Sequence, residues 1–127
     1  MEITIPKMIT INLPIRAISK DNEKIMNRSG RFFLSKKYKD FEKIVQQYFK
    51  VQYPHFNPLE GDLFIEIHYY FKDLKHCDLF NLPKSLMDAL QGYLFKNDRQ
   101  IKSAVLHIIY DKKERIEIYC SEIGEDK

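Results

Sequence analysis

Between residues 63 and 71 the chain alternates: Leu63, Ile65, Ile67, Tyr69 and Phe71 fall on one side, Glu66 and His68 on the other. A period of two predicts a half-buried β-strand. A helical period runs through Tyr38, Phe41, Val45, Tyr48 and Phe49. It predicts a helix from Lys36 to about Lys50, with Ser35 as its N-cap and the lysines opposite the apolar stripe. Leu82, Leu86, Ala89 and Leu90 form the core stripe of a second helix, which Asn81 can cap, Pro83 can open and Gly92 can end. The β-branched run Met8–Leu13, stopped by Pro14, predicts a first strand, and Phe32–Leu34 a brief one. Ala104–Tyr110 and Arg115–Tyr119 predict two further strands, joined as a hairpin by Asp111-Lys112-Lys113-Glu114.

Residues 14–31 hold Pro14, Asp21, Asn22, Asn27 and Gly30 and show no sustained periodicity. They predict a long basic loop, of the kind that binds or moves rather than merely connects. Residues 124–127 are acidic and predict a frayed tail. With no repeat and no linker, residues 1–127 predict a single α+β domain: a small mixed β-sheet with two principal helices packed on it.

Composition narrows the class. At 127 residues, with 44% hydrophobic and 31% charged, the chain can bury a core and is not disordered, collagen-like or disulfide-stapled. No apolar run reaches the roughly 18 residues of a membrane span, so no membrane partner is expected. The start lacks a basic, then apolar leader, and Cys77 and Cys120 form no CxxC pair; a reduced, cytoplasmic location is expected. The net charge of +3 is uninformative, but its distribution is not. Arg16–Lys50 holds ten basic residues against four acids, a net +6, leaving −3 for the rest. A basic arm on an acidic body suits a polyanion; charge alone favours an ordinary solvated helix with a lysine-rich face.

Several chemistries find no support. His68, His76 and Cys77 lack a second Cys/His pair at ligand spacing, so a zinc site is not expected. His107, in an apolar strand, reads as a packing or surface residue. Ser35 has no recognisable His/Asp partner motif, and no glycine loop suits a nucleotide cofactor.

The informative stretch is Asp78-Leu79-Phe80-Asn81-Leu82-Pro83-Lys84, then Asp88-Ala89-Leu90, then Asn97-Asp98-Arg99-Gln100-Ile101. Singly these are bland: an aspartate before a helix is usually a cap, and Asn-Asp before a strand usually a turn. In this order, with Leu13-Pro14 after the first strand and Gly30-Arg31-x-Phe33-Leu34-Ser35 leading into a helix, they resemble the RusA family of Holliday junction resolvases. The resemblance implies metal-dependent, symmetric nicking of four-way DNA junctions, Mg²⁺ (or Mn²⁺) as cofactor, branched DNA as partner, and a homodimer. It implies Asp78 and Asp98 as metal ligands and Lys84 as the stabiliser of phosphate charge. Asn81 organises the site, and Asp88 either assists, orients Lys84 or holds the returning loop.

Chain geometry permits the meeting. A helix of about ten residues is roughly 15 Å long, and Gly92–Asp98 can stretch about 20 Å, enough to return Asp98 beside Asp78. Two carboxylates so placed suit Mg²⁺, which prefers oxygen ligands and keeps several waters. Lys84 lies one turn beyond Asn81, suited to the charge on a phosphate.

Two positions depart from the family pattern: Phe80 replaces the second aspartate of the helix start, and Asn97 the first of the later pair. Phenylalanine cannot ligate a metal. Either Asn81 or water fills the gap, or Glu66 on the preceding strand substitutes, or the protein binds junctions and cuts them weakly or not at all. Under the nuclease reading Arg28, Arg31, Lys36, Lys37 and Lys39 become candidate phosphate contacts, and Phe32 or Phe33 could wedge or stack near an opened junction.

Overall fold

The computed structural model describes residues 8–124; of the acidic tail, residues 125–127 lie outside the described residues. The elements are β1 (Ile9–Leu13), β2 (Lys24–Met26), β3 (Phe32–Leu34), α1 (Lys36–Gln52), β4 (Leu63–Phe71), α2 (Pro83–Leu90), β5 (Ile101–Tyr110) and β6 (Arg115–Glu122), with short 3-10 turns at Asp21–Glu23, Leu79–Asn81 and Asp98–Gln100. β1, β6, β4 and β5 form one sheet in that order, mixed because β4 and β5 run parallel while the other pairs are antiparallel. This is the expected α+β arrangement.

Alternation decides which face of the sheet is covered. Leu63, Ile65, Ile67, Tyr69 and Phe71 of β4, Ile9, Ile11 and Leu13 of β1, and Ile116, Ile118 and Cys120 of β6 are all buried. They share one core with Phe41, Val45 and Phe49 of α1 and Leu86, Ala89 and Leu90 of α2. α1 begins where Ser35 Oγ accepts the Tyr38 N–H at 3.1 Å, a cap of the expected kind, contributing about 1 kcal/mol. Its far end protects an edge. The Gln52 amide exchanges hydrogen bonds with the Asn12 backbone, and the Tyr53 hydroxyl with that of Thr10, so the open side of β1 is partly satisfied from within the chain.

Three expectations change. First, β5 and β6 are not a hairpin: both flank β4, one on each side. Their connection must span two strand spacings, about 10 Å, and four residues suffice. Asp111 N–H bonds to Phe71 O at 3.0 Å as the chain crosses the end of β4, and Glu114 accepts from Lys72 N–H and from Arg16. The buried apolar alternation of β4 makes it the central strand, so it displaces the pairing that chain proximity suggests. Second, the loop over 14–31 contains β2, which pairs antiparallel with β3 to form a two-stranded arm. Asn27 Oδ1 accepts from the N–H groups of Ser29 and Arg31, and Gly30 takes φ +80 to close the turn. Third, Asn81 does not cap α2. It belongs to the 3-10 turn that runs into the helix, and Leu82, already helical in backbone, takes the cap position. Gln91 is the C-cap, with Gly92 behind it at φ +87.

Candidate active site

Asp78 stands at the end of a loop that many contacts hold rigid. His76 stacks on Phe71 with ring centroids 4.5 Å apart, its Nε2 lies 2.7 Å from the Tyr110 hydroxyl, and its Nδ1 2.9 Å from Cys77 O. Arg16 donates to Lys75 O and to Glu114 while lying over the Phe71 ring, tying this loop to the crossover. Beyond His76 the residues sort by side. Cys77 and Leu79 pack on the core, whereas Asp78 and Phe80 are exposed, Phe80 at 85%. Asn81 N–H bonds to Asp78 O at 3.0 Å and closes the 3-10 turn, which packs against β5.

The following helix is anchored from below. Ser85, buried, donates to Ile18 O at 2.7 Å, and Leu82, Leu86, Ala89 and Leu90 face the core. Lys84, in the first turn, is exposed. Asp88 lies a turn further and is already engaged: Lys20 Nζ is 2.6 Å from Oδ2, and the Tyr38 hydroxyl donates to the same oxygen at 2.9 Å. Burial, then the hydrogen bond and charge of Asp88, raise the Tyr38 phenol far above its ordinary range, so it remains a neutral donor. Asp88 therefore clamps the 14–20 segment and α1 onto α2, and among the described residues it makes no bond to Lys84.

Asp98 is brought back by a second anchor. Leu94 and Phe95 are buried, Leu59 N–H bonds to Leu94 O at 2.9 Å, and Gly92 N–H to Phe95 O at 2.7 Å. Asn97 and Gln100 then form a capping box around the Asp98–Gln100 turn. The Gln100 amide also donates to Leu59 O and Gly61 O at 2.8 and 2.9 Å, pinning the turn to the loop before β4. Gln100, which the sequence motif contains without a stated role, holds the Asp98 turn in place. The Asn-x-x-Gln spacing of a capping box was its signal. Asp98 itself rides exposed on this turn, at the start of the strand against which the Asp78 turn packs. Among the described residues the side chains of Asp78, Lys84 and Asp98 form no hydrogen bond or ion pair.

Glu66 lies elsewhere. It is on the outer face of the sheet, 2.6 Å from His68 Nε2 and clustered with His107. The basic candidates are grouped around the arm. Arg28 and Arg31 flank its turn, and Lys36, Lys37 and Lys39 line the exposed start of α1, Lys37 lying 3.9 Å from Glu23. Register sets Ile25 against Phe33 and Met26 against Phe32, all four 44–65% exposed. Between the base of this arm and the Asp78 loop lies a cleft of about 400 Å³ bordered by Arg16, Lys37, Lys75 and Cys77. Burial, then the charge of Asp78, push the Cys77 thiol up, so it is not poised as a nucleophile.

Asp78, Lys84 and Asp98 thus stand exposed on anchored elements, and basic and aromatic side chains gather at the arm and around the cleft at its base. The comparison with known families sharpens this: the model of the family described as Endodeoxyribonuclease RusA matches residues 14–120, and the chain belongs to that family. It is thus a nuclease of the group that resolves Holliday junctions. No curated protein matches the chain.

Proposed function

We propose that this chain is a divalent-metal-dependent endonuclease that resolves four-way junctions by paired symmetric nicks, acting as a homodimer. The observation that carries the proposal is the treatment of Asp78, Lys84 and Asp98. Three charged groups sit on well-anchored turns and have no partner within the described protein. The donor set fits a hard cation: Asp78 and Asp98 would hold Mg²⁺ (or Mn²⁺), with Asn81 and waters available for the position that Phe80 cannot fill. Bound there, the ion supplies Lewis acidity toward a phosphodiester and activates water for attack. Lys84 offsets the negative charge that builds on the phosphate and leaving oxygen. Asn81 holds the Asp78 turn closed through its backbone. Asp88 braces α2 so that Lys84 keeps its place.

The arm supplies the grip. Arg28, Arg31, Lys36, Lys37 and Lys39 contact phosphates, which positions DNA without reading bases. Phe32 and Phe33, on opposite faces of a ribbon too thin to bury either, stack on or wedge between bases at the branch point. Two-fold pairing of such chains matches the approximate symmetry of a junction and yields two nicks.

Phe80 favours a second reading. An exposed aromatic beside Asp78, in place of a ligand, suits a protein that grips junctions and cuts them poorly or not at all. One experiment separates the two: cleavage of a labelled mobile four-way junction and a matched linear duplex, in Mg²⁺ or EDTA, by wild type and Asp78→Asn. Paired, metal-dependent nicks specific to the junction and absent from the variant are expected. Tight junction binding without nicks establishes the second reading, and neither binding nor cutting removes both.

A further inference from the structure

The parallel register of β4 and β5 sets His68 directly against His107. Glu66, two residues before His68, projects from the same face of β4. One ligand atom from each of Glu66, His68 and His107 lies within 4.8 Å of the other two. This cluster is on the outer face of the sheet, and the nuclease reading makes no demand on it. We propose that it is a second metal site, one that takes a borderline transition-metal ion such as Zn²⁺.

The donor chemistry selects the ion. Two imidazole nitrogens and one carboxylate oxygen suit Zn²⁺ or Co²⁺, whereas Mg²⁺ prefers an all-oxygen shell. His68 Nε2 and Glu66 Oε2 stand 2.6 Å apart, a hydrogen-bond distance. Donors sharing a tetrahedral ion at about 2.1 Å are separated by about 3.3 Å, so the ion replaces the shared proton after a small rotation of either side chain. The other His68 nitrogen, Nδ1, faces Glu117 Oε1 at 3.9 Å. A carboxylate behind a ligating imidazole is the usual way its orientation and basicity are set. Glu117 is itself steadied by Tyr70 at 2.8 Å and Arg115 at 3.3 Å. Tyr119 packs beside the His68 ring at 5.3 Å and walls one side. His68 is 21% exposed at its side chain while His107 is exposed, so the site is sheltered at its base and open at β5. Both strands belong to the parallel ladder at one side of the sheet, which holds the three Cα positions without help from a loop.

Sequence spacing does not announce such a site, because His68 and His107 become neighbours only through strand register. His107 lies on the surface, one of the two places the sequence suggests for it.

The test is a titration of the full chain, without a polyhistidine tag, with Co²⁺ in millimolar Mg²⁺, followed by visible absorption and then by displacement with Zn²⁺. Wild type is expected to bind one ion per chain with the intense bands of low-coordinate, nitrogen-ligated cobalt, and Zn²⁺ to raise its Tm. His107→Ala, at an exposed position, is expected to weaken binding by at least about tenfold while the metal-free Tm stays constant. Glu66→Gln is expected to weaken it too, and Asp78→Asn to bind as wild type does, which separates this site from the nuclease carboxylates. Absence of the bands in wild type, or their persistence in His107→Ala, would overturn the proposal.

Discussion

An aspartate and a lysine stand near each end of α2, and the two ends use them in opposite ways. At its far end Asp88 is spent inside the protein, bonded to Lys20 and to the buried hydroxyl of Tyr38. At its near end Asp78 and Lys84 are left to solvent, although the turn between them is fixed by backbone bonds and core packing. A carboxylate with two donors contributes to the fold, whereas one held in place without donors is available to a ligand from outside. The contrast teaches that the type of residue is a poorer guide to function than whether its hydrogen-bonding capacity is already met.

The largest effect is expected at the unmet end. Asp78→Asn should lower junction cleavage by about a hundredfold or more, because amide oxygen is a poor substitute for a charged ligand. Its Tm should not change, since no protein bond is lost. A large Tm shift measured by calorimetry would show that Asp78 is structural and would dissolve the contrast. Replacing both Arg28 and Arg31 with Ala should reduce the slope of log affinity against log salt by about 2, with junction and duplex binding weakened alike. Filter binding at several salt concentrations checks this; an unchanged slope would take the arm off the DNA.

At the engaged end the expected readout is stability. Asp88→Ala leaves the Tyr38 hydroxyl buried without an acceptor, at a cost on the order of 1–2 kcal/mol, seen as a Tm lower by several degrees. Loss of cleavage at a temperature where that variant is fully folded would show that Asp88 serves the reaction, directly or by holding Lys84, and not the fold alone. The smallest effect concerns Glu42. Burial, then the charge of Asp88, raise its carboxyl above the usual range, with Lys20 partly opposing. The native state then holds its proton longer than the unfolded chain, so ionising Glu42 costs stability as pH rises through and above the ordinary glutamate range. Glu42→Gln should therefore be slightly more stable than wild type at pH 7, and the gain should vanish below about pH 4. Thermal melts across that interval read the difference.

Much of the fold was legible wherever one face is buried and the other wet. β4 spans Leu63–Phe71 as its alternation predicts, and α1 starts at the residue after Ser35. What could not be read are choices between partners. Nothing local distinguishes β6 pairing with β5 from β6 pairing with β4, because both use the same alternating faces. β2 escaped because Ile25 and Met26 bury little and so carry no pattern. Of the site, the ordered motif put Asp78 before the second helix, Lys84 in its first turn and Asp98 before the next strand by resemblance. The roles of Tyr38 and Gln100 depend on long-range hydrogen bonds, and the company kept by Glu66 depends on register.

The pairing of β1 with β6 bears on how the chain is made. Ile9 meets Cys120 and Leu13 meets Ile116, so the first strand finds its sheet partner only after nearly the whole chain has emerged from the ribosome. Until then Ile9, Ile11 and Leu13 have no sheet to join, and closing so long a loop is slow. The side chains of Gln52 and Tyr53 that bond to Asn12 and Thr10 lie only 40 and 43 residues further along the chain, far nearer than β6. Through them the open edge of β1 has partners within the chain that do not depend on β6.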